Sequence, residues 1–300
     1  MKTLLRVALI GNPNTGKSTV FNDLTGLNQK VGNFPGVTID KKTGHCTLSD
    51  TLIAEIIDLP GIYSLYPKAK DEKIAFEVLA DKGNSLYPDV VVVVVDASNL
   101  KRNLLLYSQV ADLKVPVILA LNMIDVAEKA GLDINVDKLS RRLGVPVVPL
   151  NARNKRGIPE LKQAIAHATP VPSQNGTIDV ESLDPEFLAG LQRGLEIGNP
   201  YEALQVASQY ENLPYLSAEK KALVKELSEK HSFQRGKVQL AETSARYLFI
   251  DEVLRDCVRQ NLPASAETFT SRIDKVLTHK VFGLLIFVLI LFVIFQSIFS

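Results

Sequence analysis

Six consecutive valines, Val90 to Val95, stand between "YPD" and "DASNL". A strand with one face on a core and the other in water has no use for such a run. It suits a strand buried on both faces, in a parallel sheet covered by helices. The surrounding chain supplies the covering helices. From residue 4 to about 168, short apolar runs alternate with amphipathic stretches: "LLRVALI" then "STVFNDL", "LIAEIIDL" then "EKIAFEVLA", "VPVILALN" then "VDKLSRRLG", "VPVVPL" then "IPELKQAIAHA". The expected fold class is α/β, with a doubly wound, mostly parallel sheet over residues 1–168. The opening "MKTLLRVALIG" has a basic residue and an apolar stretch, but no small-residue cleavage site comes after it, so it reads as the first strand and not as a signal peptide.

The alternation stops at "TPVPSQNGTI", whose prolines, glycine and polar residues mark a linker over 169–177. From 178 to 278 the signals are helical, and no strand is expected. Asp184-Pro185 and Asn199-Pro200 pair a favoured N-cap with proline at the first helical position, and Ser217 caps "AEKKALVKELSEKH". The segment "AETFTSRIDKVLTHK" is expected to lead directly into residues 279–300, where "VFGLLIFVLILFVIFQSIF" has no charge and the length to start a transmembrane helix. Arg272, Lys275 and Lys280 precede it and, by the positive-inside bias, place the N-terminal body in the cytoplasm. One such helix makes no permeation path, so the chain is singly anchored or the front of something longer.

At 300 residues and 46% hydrophobic the chain can bury a large core, and its net charge of +1 lacks the basic field of a nucleic-acid binder. Cys46 and Cys257 lie far apart, outside any CxxC or Cys/His cluster, and read as packing or surface thiols of a reduced compartment. His45, His167, His231 and His279 are scattered and suggest no metal centre.

"GNPNTGKST" comes after the first strand and precedes a helix: Gly11, Asn12, Pro13, Asn14, Thr15, Gly16, Lys17, Ser18 and Thr19. In that context the G-x-x-x-x-G-K-[ST] pattern makes a phosphate loop. Glycines let backbone N–H groups converge on the anion, Lys17 reaches the β- and γ-phosphates, and Ser18 ligates Mg²⁺. "DLPG", Asp58, Leu59, Pro60 and Gly61, closes the "LIAEIIDL" run. There Asp58 holds the Mg²⁺ through water and the Gly61 amide faces the γ-phosphate. Between them "NFPGVT" offers Gly36, Val37 and Thr38, with Thr38 a further Mg²⁺ ligand that swings in when a γ-phosphate is present. "NMID" ends another strand with Asn122, Met123 and Asp125. The Asp125 carboxylate accepts from the guanine ring N–H and amino group, a pairing adenine cannot offer.

These motifs resemble the Ras-like G-protein superfamily, and "GNPN" with "GNFPGVT" resembles the cytoplasmic GTPase region of the ferrous iron transport protein B family of bacterial membrane proteins. The resemblance covers the whole chain. It implies a GTP-hydrolysing G domain, then a helical domain of the guanine-nucleotide-dissociation-inhibitor type, then a transmembrane iron permease. The implied location is the bacterial inner membrane with residues 1–278 in the cytoplasm, and small cytoplasmic iron-transport accessory proteins are implied partners. GTP/GDP, Mg²⁺ and K⁺ are the implied cofactors. Ras-type enzymes orient the attacking water with a glutamine where this chain has Ile62. In relatives with asparagine at the position of Asn14 that side chain holds a potassium ion, so hydrolysis is expected to be slow and potassium-stimulated, with Asn14, Lys17, Thr38 and Gly61 as the catalytic set. Two positions depart from the family. Phe34 stands where tryptophan is common, keeping an aromatic beside the nucleotide, and "NAR", Asn151, Ala152 and Arg153, replaces a motif that usually contains Ser-Ala; there the Ala152 amide meets guanine O6. The competing classes are a soluble ribosome-assembly or RNA-modifying GTPase, disfavoured by the charge balance and apolar C-terminus, and a singly anchored GTP-dependent scaffold.

Overall fold

The computed structural model describes residues 3–27, 29–34, 40–67, 69–168, 176–260, 277–279 and 282–299. The valine run is the centre of the fold. β5 (Val90–Asp96) lies parallel to β1 (Thr3–Gly11) on one side and to β6 (Val117–Asn122) on the other. β4 (Leu52–Asp58) adds beyond β1 and β8 (Val147–Pro149) beyond β6, both parallel. At the far edge β3 (Asp40–Thr47) and β2 (Gln29–Asn33) continue the sheet antiparallel, giving the order β2-β3-β4-β1-β5-β6-β8. β3 is, with β2, β7 (Leu132–Ile134) and β9 (Val258–Gln260), a strand that the apolar pattern does not reveal. Its residues "DKKTGHCT" are mostly polar, and pairing with its neighbours makes them a strand.

The valines split by parity, as the period of two requires. Val90, Val92 and Val94 face α1 (Lys17–Thr25) and α6 (Ile158–Ala166) and pack with Phe21, Leu24, Leu161 and Ile165. Val91, Val93 and Val95 join the larger core, shared with α2 (Lys70–Ala80), α3 (Leu100–Asp112), α4 (Ile124–Lys129) and α5 (Val136–Leu143). That core does not stop at the linker. It continues through α7 (Pro185–Leu195), α8 (Pro200–Gln209), α9 (Ala218–Lys230) and α10 (Arg235–Cys257), with Phe187, Leu204, Val224, Ile250 and Val253 buried. Residues through Arg259 form one compact unit, in which α10 packs on α3 and α5.

The three expected caps are in place. Asp184 Oδ1 accepts from the Phe187 amide at 3.1 Å, Asn199 Oδ1 from the Tyr201 amide at 2.9 Å, and Ser217 Oγ from the Lys220 amide at 3.2 Å. One strand does come after these helices, contrary to expectation. α10 ends at Cys257 and the chain continues as β9 (Val258–Gln260), paired with β7 (Leu132–Ile134). A three-residue strand whose partner lies far away in sequence leaves no local pattern. The linker expected over 169–177 falls largely outside the described residues, and so does most of "AETFTSRIDKVLTHK". A separate unit, Gln260–Ser300, carries α11 (Phe282–Phe299), 18 residues, with Leu284, Leu285 and Phe287 through Phe295 exposed. That is about 27 Å of helix against the roughly 20 residues a bilayer core needs. Among the described residues no helix is long and apolar enough to cross a membrane.

Candidate nucleotide site

Because β1, β4, β5, β6 and β8 are parallel, their C-terminal ends meet at one edge of the sheet, where ligands bind in folds of this kind. The motifs sit there. The loop from Gly11 to Gly16 leaves β1 and enters α1 at Lys17. Asn14, at φ 67°, and Gly16, at φ 83°, take the left-handed backbone that turns it. A Cβ on Gly16 would also collide with the Asn122 side-chain amide. The Thr15 hydroxyl donates to the Asn12 carbonyl at 2.9 Å and closes the turn. Asn12 and Thr15 are buried, whereas Pro13, Asn14, Ser18 and Thr19 reach the surface.

Asn122, at the end of β6, holds two motifs in register. Its Nδ2 donates to the Thr15 carbonyl at 2.8 Å, and its Oδ1 accepts from the Ala152 amide at 3.1 Å. One side chain thus ties the phosphate loop to the segment after β8, and the Ala152 amide, expected at a base oxygen, is engaged by Asn122 here. Met123 takes φ 60° at the start of α4, leaving Asp125 in its first turn and partly exposed, with Lys129 Nζ 3.9 Å from its carboxylate. Asn151 is buried and bridges to Arg156 across a tight turn, while Arg153 is exposed.

On the other side of the loop, Asp58 ends β4 and forms an ion pair with Lys17. Leu59 is buried, its amide donating to the Leu9 carbonyl at 3.0 Å, and Pro60 leads to Gly61. Gly61 lies so near the loop that a Cβ on it would approach Pro13 N to 3.3 Å. The Ile62 amide donates to the Gly11 carbonyl at 3.1 Å and its side chain is fully buried, so it presents nothing to a water at this edge. The Ser18 hydroxyl and the Asp58 carboxylate are hard oxygen donors on neighbouring elements, which fits Mg²⁺. Among the described residues no cluster of three or more His, Cys, Asp or Glu side chains forms a metal site.

Gly36, Val37 and Thr38 lie outside the described residues. Phe34 corrects an expectation: it is buried in the larger core and lines a cavity of about 190 Å³ with Ile74, Val78, Pro214 and Tyr215. The apolar ring goes to the core beside α2, where burial removes it from water. Tyr63 is exposed, with the Arg102 guanidinium 4.3 Å from its ring centre, and Tyr66 is buried. Burial and then the nearby Glu242 push the Tyr66 hydroxyl well above its ordinary pKa, so it remains a neutral phenol.

The motifs that the sequence suggests one by one are therefore on one edge, apart from those outside the described residues. Sequence reading misses the side chains that brace them from behind: Gln109 on α3 and Gln209 on α8 both bond to the backbone of Leu65. Neither belongs to a motif.

The chain is similar to known proteins in sequence and in fold. A family model described as Ferrous iron transport protein B matches residues 5–165. The chain is similar to the Fe(2+) transporter FeoB of Legionella pneumophila strain Paris, 37% identical over 302 aligned positions that cover 96% of this chain and 38% of that protein. It thus spans well under half the length of that relative. Among solved structures it resembles the cytosolic domain of L. pneumophila FeoB, at 35% identity and TM-score 0.70, over 85% of this chain and 99% of that one. It also resembles a GDP-bound mutant of the S. thermophilus FeoB G-domain, at 35% identity and TM-score 0.68, over 85% of this chain and all of that one. With a family model matching more than half of its residues and phosphate-loop, D-x-x-G and N-x-x-D motifs assembled at one sheet edge, the chain belongs to the ferrous iron transport protein B family.

Proposed function

We propose that the chain is the guanine-nucleotide-binding, GTP-hydrolysing cytoplasmic region of a bacterial ferrous iron transporter. The observation that carries this reading is the pair of hydrogen bonds by which Asn122 donates to the Thr15 carbonyl and accepts from the Ala152 amide, so that the Gly11–Ser18 loop lies beside the segment after β8. In this reading the Gly11–Ser18 backbone binds the phosphates, Lys17 leaves Asp58 to reach the β- and γ-phosphates, and Asp125 selects guanine. Ser18, Asp58 and Thr38 hold Mg²⁺, which when bound neutralises charge developing on the phosphates. Ile62 cannot orient an attacking water, and Asn14 stands where it would hold a K⁺, whose charge would lie near the β- and γ-phosphates. Hydrolysis is accordingly slow and potassium-stimulated.

Residues 1–168 act as the G domain and 178–278 as a helical domain that senses the nucleotide. The uncharged run 281–299, exposed along α11, starts the membrane-spanning iron permease of a longer chain. The basic residues before it hold residues 1–278 at the cytoplasmic side of the inner membrane, where small accessory proteins can reach them.

The test is displacement of a fluorescent GDP from the 300-residue chain. GTP and GDP should compete and ATP should not, and Asp125→Asn should weaken GTP and favour xanthosine nucleotides, since an acceptor becomes a donor. Equal competition by ATP contradicts the assignment.

A further inference from the structure

Where α9 gives way to α10, the helical segment carries a cavity of about 340 Å³ that the nucleotide site does not use. Its floor is apolar, built from Phe187 and Leu188 of α7, Leu204 of α8 and Phe233 of the connection between α9 and α10. The first three are buried, and Phe233 stacks on Phe187 with ring centres 4.7 Å apart and planes 29° apart. The polar lining is on the solvent side: Lys237 is exposed, and Asp184 and His231 are partly so. Folded interiors hold few voids larger than a water molecule, and those of about 300 to 1,000 Å³ with apolar walls and a few polar groups are the usual seats of small molecules.

The connection at the mouth is fixed by its own backbone. The His231 amide donates to the Leu227 carbonyl at 3.0 Å, the Ser232 amide to the Glu229 carbonyl at 3.2 Å and the Phe233 amide to the Ser228 carbonyl at 2.8 Å, while Ser232 turns the chain at φ 51°. A loop bonded in this way has little freedom left to lose when a guest enters. The charges at the mouth differ in what they already hold. Asp184 is engaged, its Oδ1 accepting from the Phe187 amide at 3.1 Å and lying 3.8 Å from His231 Nδ1. Lys237 is not. Among the described residues its ammonium has no ion pair, and the first turn of α10 carries no acidic residue to offer one.

We propose that this cavity binds a small aromatic carboxylate, its ring against Phe187 and Phe233 and its carboxylate on Lys237. Each part of the guest answers a part of the lining. An aromatic ring gains an offset stack on the phenylalanines that an aliphatic chain does not. An anion satisfies the one free cation at the mouth, where a cationic guest would meet like charge. The volume is near the lower end for such sites, so the guest is small. The cavity lies within the unit that ends at Arg259 and draws on none of the nucleotide motifs, so the proposal stands apart from the guanine-nucleotide reading.

The experiment is equilibrium dialysis of naphthoate, with neutral naphthamide as its control, against the full 300-residue chain in phosphatidylcholine nanodiscs. Uptake by lipid is common to all variants, so differences between chains report the cavity. The unaltered chain should bind naphthoate saturably and naphthamide more weakly. Lys237→Met keeps the length of the side chain and removes the charge. It should weaken naphthoate about fivefold, the upper end for an exposed ion pair, and leave naphthamide unmoved. Leu183→Trp adds bulk to the cavity from a partly buried wall and should abolish saturable binding of both probes, with the melting temperature showing that the chain is folded. Val238→Trp fills the same space from α10 and serves if Leu183→Trp does not fold. The proposal is overturned if the unaltered chain shows no saturable binding, if Lys237→Met binds naphthoate as tightly as the unaltered chain, or if binding survives both tryptophans. A tryptophan variant that instead splits a dimer into single chains in sedimentation shows that a second copy fills the cavity, and this too overturns it.

Discussion

Asn14 occupies a left-handed backbone position that alanine adopts only with strain, so Asn14→Gly is the cleaner removal of its side chain. The expected result is GTP turnover that is faster in potassium than in sodium for the unaltered chain and equal in both salts for Asn14→Gly, with GTP still bound. Steady-state phosphate release in the two salts measures it, and equal rates in the unaltered chain would remove potassium from the mechanism. At this scale the motif residues are legible in the sequence because their constraint is local. Gly16 must turn the loop, Lys17 must come next, and both facts are written within nine residues. Phe34 is illegible for the opposite reason. A lone aromatic carries no indication of which side of the chain the core will be on, and here the core is beside α2.

Helix α8 shows the same division among elements. Asn199 is readable as its cap, since an asparagine before proline at the first helical position is a local signal. The fold alone reveals that the same side chain also donates Nδ2 to the Asp112 carbonyl at 2.7 Å, tying α8 to the end of α3. Asn199→Ala should therefore cost about 1 to 2 kcal/mol for the cap and lower the melting temperature by roughly 2 to 8 °C for a unit of this size. Differential scanning fluorimetry checks this, and an unchanged melting temperature contradicts both roles. β3 and β9 are not legible as elements. The first is polar and the second is three residues long, and each exists because a partner strand offers unpaired backbone groups.

For the molecule as a whole, the decisive group is Arg246, fully buried among Glu242, Asp112 and the hydroxyl of Thr177. Burial by itself would lower its pKa, but Tyr201, Glu242 and Asp112 outweigh burial and raise it, so the guanidinium stays charged. Arg246→Met leaves Glu242 and Asp112 buried without their cation and should cost about 3 to 5 kcal/mol; urea unfolding measures it, and a loss under about 1 kcal/mol would contradict the account. Nothing in "ETSARYLFIDE" marks this arginine, since an i, i+4 pair with glutamate on a helix is ordinarily a surface feature. The parallel sheet is written in the chain itself, as six valines too apolar for a half-exposed strand, and so is the phosphate loop, whose chemistry lies in contiguous residues. The helical character of residues 185–257 is written there too, in local caps. Packing in three dimensions was needed to establish that α7–α10 share one core with the sheet, that Arg246 is interior, and that Gln109 and Gln209 meet at Leu65. Those contacts join residues up to 144 positions apart, and a contact between distant residues depends on how two elements pack, which neither element's own pattern encodes.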